Sequence, residues 1–260
     1  NWFVIDNARG PFNTIQTSIT IDNAQNESYA GTTAQIDFND NGFQIKASNN
    51  DVNANNVKYR YIAFAGGMDS ISDYNTTGSI DSRVKANPTY GQSIVSWTGT
   101  GANATVGHGL NSAPEMIIAK GREEAYDWIV YHKDLNGGTN PHTKRLRLNS
   151  NAGESANDNW GNAQPTSDVF TLGADETINP TNSKGVIAYC FHSVTGYSKF
   201  GSYTGNGSAT GTVVTTGFRP AFVMIKRTDA SSYNWHIYDN TRSPSSDLDN
   251  VIYPNGSGAE

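Results

Sequence analysis

Residues 200–242, FGSYTGNGSATGTVVTTGFRPAFVMIKRTDASSYNWHIYDNTR, decide the fold. The run AFVMIK at residues 221–226 is short, apolar and bounded by turn residues and charge, which is typical of a buried strand and not of a helix. A polar loop leads to WHIY at residues 235–238, where Trp235 and Ile237 would share one face of a second strand. The stretch therefore predicts a strand, a loop and another strand.

The same pattern occurs a second time earlier in the chain. Pro114 and Pro220 precede equivalent apolar runs and lie 106 positions apart (220 − 114). Trp128 and Trp235 open equivalent strands at an offset of 107 (235 − 128). Solenoid and propeller repeats have periods of about 20 to 50 residues, so this longer period predicts that each repeated unit is a whole domain.

A second comparison relates the beginning of the chain to its middle, where three blocks match in the same order. They are residues 19–23 with 146–150 and 43–45 with 170–172, both at an offset of 127 (146 − 19), and 62–64 with 187–189 at 125 (187 − 62). Several blocks that match in the same order and at consistent offsets favour a true repeat over chance similarity caused by the biased composition.

The offsets divide the chain into four parts. We expect the C-terminal half of a repeat module at residues 1–65, a linker or long loop at 66–89, a complete module at 90–197 and the N-terminal half of a further module at 198–260. On this interpretation the chain is a piece of a longer tandem array.

Short strands are predicted throughout the complete module. They lie near residues 93–97, 104–107, 115–119, 127–132, 144–148, 169–172 and 185–192. Short strands separated by turn signals indicate two packed sheets. The predicted fold class is therefore all-β, with tandem antiparallel β-sandwich modules similar to a jelly roll.

Three further elements are predicted outside these strands. Residues 36–45 form a hairpin, because apolar residues alternate on both sides of Asn41-Gly42, a pair that tolerates the positive φ angles of a tight turn. Residues 58–65 form the closing strand of the N-terminal half module. Residues 81–86 are the single candidate for a helix.

The composition limits the classes of function. The 260 residues carry a net charge of −6 and no basic cluster, which argues against binding to nucleic acid through phosphates. Apolar stretches of about 18 residues are absent, so we expect no insertion into a membrane. Aromatic residues make up 11% of the chain, which argues against disorder. Cys190 stands alone in an apolar run and is predicted to be a buried, inert thiol.

Motifs for metals and catalysis are incomplete. Residues 37–42, DFNDNG, match the first half of an EF-hand loop, but Ser48 stands where the bidentate carboxylate is required. A plain hairpin turn is predicted there, with a calcium site as the alternative, and we expect no cofactor. Glu123, Glu124 and Asp127 could form the carboxylate pair of a hydrolase, but their place in a loop favours solvated turn residues. We therefore expect no catalytic residues and no enzyme.

One loop has the composition of a glycan-binding site. Asn157, Asp158 and Asn159 precede Trp160 in a wholly polar stretch. Loops on a rigid scaffold often carry binding residues, and an aromatic face can stack on the apolar face of a sugar ring. These four residues form the candidate ligand-binding set. The alternative is that Trp160 folds back as a lid on the edge of the sandwich.

The repeated strings are similar to a known family. GSYTGNG at 201–207, GFRPAFVMIKR at 217–227, and WHIYD at 235–239 with Arg242 resemble a repeated module of tail-fibre and other virion proteins of tailed bacteriophages, notably marine ones. The resemblance covers nearly the whole chain except residues 66–88. It implies a structural or host-recognition role on a virion that is assembled from proteins folded in the host cytoplasm, and it supplies no catalytic or ligand-binding residues.

The leading hypothesis is a non-enzymatic tail fibre or adhesin. Loops on its modules would contact a glycan or protein of the host surface, and many copies would raise the avidity. The resemblance also implies a homo-oligomer, with a trimer about the fibre axis as the expected form. A purely structural capsid decoration or filament subunit is the alternative, and a polysaccharide-degrading domain is a second one.

Overall fold

The predicted fold class is confirmed: the protein is all-β, and its sheets are antiparallel. The computed structural model describes residues 2–8, 14–15, 17–29, 36–39, 41–46, 50–65, 74–181, 183–242 and 250–256. Among these residues no helix is long and apolar enough to cross a membrane.

The strands fall into three regions along the chain. The N-terminal region holds β1 (Phe3–Val4), β2 (Thr14–Ile15), β3 (Thr17–Thr20), β4 (Ser28–Tyr29), β5 (Ile36–Asn39) and β6 (Gly42–Ile45). The central region holds β7 (Tyr74–Asn75), β8 (Ser82–Asn87), β9 (Gln92–Thr98), β10 (Ala104–Gly107), β11 (Met116–Gly121), β12 (Ile129–His132), β13 (Lys144–Arg147), β14 (Ser155–Ala156), β15 (Val169–Leu172) and β16 (Gly185–Phe191). The C-terminal region holds β17 (Phe222–Ile225) and β18 (His236–Asp239).

The helices are short. One α-helical turn spans Asn50–Asn53, and 3-10 turns span Pro88–Tyr90, Leu135–Gly138 and Pro141–Thr143. The first 3-10 turn begins with Pro88, whose fixed φ suits that position, and ends at Gly91, which has a φ of 64°. A Cβ at Gly91 would lie 2.6 Å from the carbonyl oxygen of His192, so both the backbone angle and the close approach require glycine.

A large central sheet organises the molecule. Its strand order is β14-β13-β12-β11-β16-β9-β8-β7, and β16 lies in the middle between β11 and β9. Ile117 on β11 pairs with Tyr131 on β12 and with Cys190 on β16, which fixes the register across three strands. The strands β10 and β15 form a separate two-stranded sheet.

One face of the central sheet packs against the β10–β15 pair, as a sandwich requires. Side chains that alternate along β9, β11, β12 and β16 point to this face because successive residues of a strand point to opposite sides. They meet apolar side chains of the smaller sheet. This first core comprises Val95, Trp97, Ala104, Val106, Ile117, Ala119, Ile129, Tyr131, Phe170, Leu172, Val186, Ala188 and Cys190, with Ile80, Leu110, Trp160 and Ile178 at its borders.

The other face of the central sheet is covered by both flanking regions. The N-terminal region contributes Ile19, which is fully buried, and the C-terminal region contributes Trp235. Between them lie Trp128, Val130 and Ile187 of the central sheet. Both faces of the central sheet are therefore buried, which explains why β11 and β16 are nearly continuous apolar runs.

All seven strands predicted in the complete module are confirmed, but the predicted helix at residues 81–86 is wrong. That stretch forms β8, which pairs along its whole length with β9, from Ser82 opposite Trp97 to Asn87 opposite Gln92. Ser82 is buried and donates its hydroxyl to the carbonyl oxygen of Gly107. Alternation with period two along a neighbouring strand outweighed the weak helical propensity of the sequence.

The N-terminal hairpin is confirmed, whereas the closing strand at residues 58–65 is wrong. In the hairpin β5 pairs with β6, and Gly42 lies in the strand opposite Asn39 and not in the turn. Residues 58–65 lie in no strand, and all of them are exposed. They have the composition of a strand, but no neighbouring strand pairs with them in the described part of the chain.

Candidate functional site

The structure places Trp160 in the first core. The indole is 1% exposed and contacts the ring of Tyr131 edge-on, with centroids 5.8 Å apart. Its Nε1–H is buried without a hydrogen-bond partner among the described residues. The geometry agrees with a side chain folded against the sandwich and not with an exposed stacking platform.

The neighbouring polar residues fix the backbone of the loop. Asn159 is fully buried, its Oδ1 accepts a hydrogen bond from Arg145 Nη1 at 2.8 Å, and its carbonyl oxygen accepts one from Gly173 N. A Cβ at position 173 would lie 1.7 Å from the carbonyl oxygen of Asp158. Only glycine at position 173 therefore allows the loop to pack against the end of β15. Asn157 Oδ1 accepts from Asn159 N at 2.6 Å. Much of the polar capacity of the loop is used internally.

Asp158 is the one exposed side chain of the predicted set, while Asn157 is half-buried. A glycan would therefore meet the carboxylate of Asp158 and part of Asn157, and not the ring of Trp160. The glycan site at residues 157–160 stays a prediction, restricted to these two polar groups.

The three acidic residues considered for hydrolysis have separate partners. Glu123 Oε2 accepts from Gly185 N at 2.8 Å, Glu124 pairs with Lys184, and Asp127 Oδ2 lies 3.0 Å from Arg147 Nε. These contacts tie the loop before β12 to the start of β16 and to β13. Their geometry is that of loop anchors.

The potential metal ligands are dispersed. No group of three or more His, Cys, Asp or Glu that could hold a metal ion occurs among the residues that the structure describes. Asp37, the first residue of the EF-hand-like string, lies 3.0 Å from Lys46 across the hairpin. Asp40 and Ser48 of that string lie outside the described residues.

His108 is a structural histidine. Its side chain is fully buried, with Nε2 3.1 Å from the carbonyl oxygen of Thr166 and Nδ1 accepting from Leu110 N at 3.2 Å. These partners define the tautomer that carries its proton on Nε2. Burial lowers the pKa of His108 because desolvation disfavours the charged ring.

Two tryptophans that open equivalent strands make the same contact at two places. Trp128 donates its indole N–H to the carbonyl oxygen of Thr20 at 2.7 Å, which links the central region to the N-terminal region. Trp235 donates to the carbonyl oxygen of Arg147 at 2.9 Å, which links the C-terminal region to the central region. Thr20 and Arg147 are 127 residues apart (147 − 20), so both partners of the bond are equivalent in the repeat.

A backbone contact accompanies each tryptophan bond. Glu27 N donates to the carbonyl oxygen of Arg122 at 2.7 Å, and Glu154 N donates to that of Thr228 at 2.7 Å. Both positions again match at the repeat offsets, 154 − 27 = 127 and 228 − 122 = 106. We call the contacts around Trp128 the first junction and those around Trp235 the second junction.

The junctions differ in their charged groups. At the first junction Arg122 Nε forms a 2.7 Å ion pair with Glu27 Oε2, whereas the second has Thr228 in place of the arginine. Glu154 Oε2 instead accepts a hydrogen bond from Asn136 N at 3.0 Å. The shared part of the interface is therefore apolar and backbone-mediated, and the ion pair is an addition.

Lys120 is buried at the first junction. Its Nζ donates to three carbonyl oxygens, those of Tyr126 at 2.7 Å and of Ala24 and Glu124 at 3.3 Å, and the side chain is 0% exposed. Burial lowers the pKa of Lys120 to about 8 because the charged form loses its hydration. The equivalent Lys226 also has a lowered pKa through burial.

Sequence reasoning missed the junctions. Trp128 and Trp235 were predicted to open equivalent strands, but the hydrogen bonds that each donates to another region depend on tertiary packing. The sequence contained one signal. The repeat aligns Trp128 with Trp235, and it also aligns Glu27 with Glu154, the glutamates that lie in the preceding region at each junction. When two residues that are far apart in sequence both recur in the repeat, they are candidates for a contact between neighbouring regions.

The sheets and the two junctions define a class of protein: an all-β chain of antiparallel sheets, whose N-terminal, central and C-terminal regions contact one another through matching bonds. A family model described as Domain of unknown function (DUF7483) matches residues 1–67 and 69–260, so the chain belongs to that family. No curated protein and no solved structure shows a significant match to the chain.

Proposed function

We propose that this protein is a non-enzymatic component of a virion appendage, a tail fibre or adhesin that brings loops of tandem modules to a host surface. The observation that carries the proposal is the repetition of one junction at two places in the chain. If successive modules contact each other in the same way, they form a stiff rod whose length increases with the number of modules. Such a rod suits a protein that holds binding loops out toward a host surface.

The sequence resemblance to tail-fibre modules supports the location on a virion, and the composition supports the binding mode. Loops rich in Asn, Ser, Thr and Gly offer many hydrogen-bond groups and little apolar surface. Each site would bind weakly, and homo-oligomers would multiply the contacts. Asp158 and Asn157 are the side chains we propose for contact with a host glycan.

A purely structural role in a capsid decoration or filament is the second candidate. The burial of Trp160 favours it, because the predicted loop then presents no aromatic face to a sugar. Asn159 is also committed to the loop through Arg145. A structural subunit would use the same modules and junctions as spacers without any receptor.

Binding to host material separates the two candidates. The 260-residue chain, displayed in many copies on beads, is applied to a glycan array and to a panel of marine bacteria. We expect binding to at least one host or glycan, and we expect the double variant Asn157→Ala, Asp158→Ala to weaken it by about tenfold or more through lost hydrogen bonds.

A matched control is Asp81→Ala, which removes an exposed carboxylate from a different loop, directly before β8. It should leave binding unchanged. Trp160 is left in place because removing a buried indole would create a cavity and unfold the module. Absence of binding to every cell and glycan, together with ordered lateral assembly, would support the structural role instead. Release of reducing sugars from a host polysaccharide would overturn the non-enzymatic proposal.

A further inference from the structure

The loop at residues 157–160 uses its acceptors and leaves its donors without partners. Oδ1 of Asn159 accepts from Arg145, and Oδ1 of Asn157 accepts from Asn159 N. The Nδ2 atoms of both amides, the indole Nε1 of Trp160 and Nε of Arg145 are buried and have no hydrogen-bond partner among the described residues. These four nitrogen donors therefore need an acceptor that the described part of the chain does not supply.

The depth of these side chains makes unpaired donors costly. Asn159 is 0% and Trp160 is 1% exposed. A buried donor without a partner loses its hydration and gains nothing in return, so proteins rarely leave one unpaired. The side chain of Arg145 keeps 17% of its surface exposed, which gives a ligand a route to this group from solvent.

The register of the central sheet brings the donors together. The pairing of β12 with β13 sets Ile129 opposite Arg147. Continued by two residues, the same antiparallel register sets Tyr131 opposite Arg145. The ring of Tyr131 contacts the indole of Trp160, and the guanidinium of Arg145 lies beside the loop amide to which it donates. All four donors therefore lie at one edge of the sandwich, between β13 and the loop.

Arg145 has a distant counter-ion. Its Nη1 lies 3.8 Å from Asp175 Oδ2, which is too far for a hydrogen bond. Arg147 lies two positions further on the same face of β13 and is paired with Asp127 at 3.0 Å. Burial lowers the pKa of Arg145, and the neighbouring charge of Arg147 lowers it further. An additional negative charge would therefore be stabilised at this edge.

The two arginines are a property of the central region. Their equivalents in the other copies of the repeat are Ser18 and Thr20 at an offset of 127 (145 − 18) and Val251 and Tyr253 at an offset of 106 (251 − 145). The repeated fold forms its strands with uncharged residues at these positions. The arginine pair is therefore not a requirement of the fold.

The donor set selects a ligand that only accepts hydrogen bonds. A water molecule accepts hydrogen bonds but also has two hydrogens to donate, whereas an anion has none. Nε of Arg145 lies on the edge of the guanidinium that, together with Nη2, can bind two oxygens of one carboxylate, sulfate or phosphate. The chemistry of the site therefore matches an oxyanion.

We propose that the edge of the sandwich between β13 and residues 157–160 binds an oxyanion, with Nε of Arg145 and the Nδ2 atoms of Asn157 and Asn159 as its donors. The oxyanion is either a free anion or the acidic group of a glycan, in which case Asp158 accepts from hydroxyl groups of the same sugar. The glycan form rests on the host-attachment proposal, whereas binding of a free anion does not.

Thermal unfolding of the 260-residue chain in increasing sodium sulfate tests the proposal. Sulfate stabilises most proteins in proportion to its concentration, so the specific effect is the part that saturates. We expect a saturable rise in Tm of about 5 °C at about 100 times the dissociation constant. Asn159→Asp supplies a carboxylate to Arg145 from within the protein. It should raise Tm in the absence of sulfate and weaken the saturable binding by at least about tenfold.

The matched control is Asn179→Asp. Asn179 is also 0% exposed, but its Nδ2 already donates to the carbonyl oxygens of Ala102 and Gly173, each at 2.7 Å. The same substitution there sets a carboxylate against two carbonyl oxygens, so it should lower Tm and leave the affinity for sulfate unchanged. A second variant at the site, Asn157→Asp, removes a half-buried donor and should weaken the binding as Asn159→Asp does. Similar losses of Tm in Asn159→Asp and Asn179→Asp would overturn the proposal.

Further ligands identify the source of the oxyanion. Binding of a galacturonic acid tetramer that is about tenfold tighter than that of the monomer would support an acidic glycan, and equal binding would support a free anion. A neutral galactose tetramer should not compete with sulfate. A parent chain without a saturable response to sulfate or to either uronate would overturn the proposal, as would an equal response in the parent and Asn159→Asp. A saturable response in a chain that binds no host material would reject host attachment and support a site for a free anion.

Discussion

The hairpins β11–β12 and β17–β18 are two copies of one element in different surroundings. Their strands pair in the same register, yet β11 is almost fully buried, whereas β17 is half-buried and has Phe222 exposed. Register follows from the alternation of side chains and the length of the loop, which are local properties. Burial depends on neighbouring strands, and among the described residues β17 pairs with β18 alone, whereas β11 pairs with both β12 and β16.

Replacing each of the two equivalent tryptophans by alanine should give the largest difference in stability between the two hairpins. Trp128→Ala removes a side chain that is 1% exposed in the apolar cluster on the other face of the central sheet, and we expect the free energy of unfolding to fall by about 3 to 5 kcal/mol. Trp235→Ala should lower the main unfolding transition by less than about 2 kcal/mol, because the C-terminal hairpin is partly exposed already. Denaturant titration gives both values.

Hydrogen exchange distinguishes local from global loss. Amides of β17 and β18 should lose their protection in Trp235→Ala while those of β11 and β16 keep theirs. Trp128→Phe serves as a control that keeps an aromatic ring and removes the bond to Thr20, with an expected loss of about 1 kcal/mol. Equal losses of global stability in the two alanine variants would show that the flanking region folds as one unit with the centre.

The buried Lys120 predicts a pH dependence of the first junction. Its pKa is about 8 in the folded protein and about 10.4 when exposed, so the unfolded chain binds more protons between these values. Its contribution therefore makes the free energy of unfolding rise with pH from about 8 to about 10.5, by at most about 3 kcal/mol. Lys120→Met should remove this slope, although three carbonyls then lose their donor and the absolute stability falls.

The slope is measured as the difference between parent and variant across that pH range. Burial raises the pKa of Cys190 to about 12, so its thiol has the opposite effect and lowers stability as the pH rises above about 9. This effect is common to both proteins and cancels in the difference. A variant whose stability follows the same pH curve as the parent would contradict the assignment to Lys120.

The ion pair between Arg122 and Glu27 should have the smallest effect. Arg122→Thr makes the first junction resemble the second, and we expect a loss of about 1 kcal/mol that shrinks at high salt. The reverse change, Thr228→Arg, gives Glu154 a cationic neighbour at the second junction and should stabilise the C-terminal region slightly. Thermal unfolding at low and high salt checks both. An unchanged salt dependence in Arg122→Thr would argue against the ion pair.

Much of the fold could be predicted from the sequence because its signals are local. Alternation and turn residues located seven of the eight strands at residues 90–197, all except the two-residue β14, and the hairpin of β5 and β6 followed from alternation around Asn41-Gly42. Residues 58–65 have the same local signals, but a strand also needs a partner, and none pairs with them among the described residues. For the same reason Ser82–Asn87 became a strand, because β9 lies beside it.

The candidate site was harder to predict because polarity along the chain does not determine depth. Trp160 is surrounded in sequence by Asn and Asp, which indicates a surface loop. In the fold its neighbours turn their polar groups toward Arg145 and the backbone of Gly173, and the ring turns inward. The junctions were invisible for a related reason, since each bond joins residues about a hundred positions apart.

The equality of the two junctions has a geometric consequence. Since Trp128 and Trp235 reach equivalent carbonyl oxygens, we expect each predicted module to be displaced and rotated from its predecessor by nearly one fixed transformation. Repeating one such transformation generates a superhelix, whose pitch and handedness are properties of the interface alone. Substitutions at positions 122 and 228, where the junctions differ in charge, are then the natural means of adjusting that pitch.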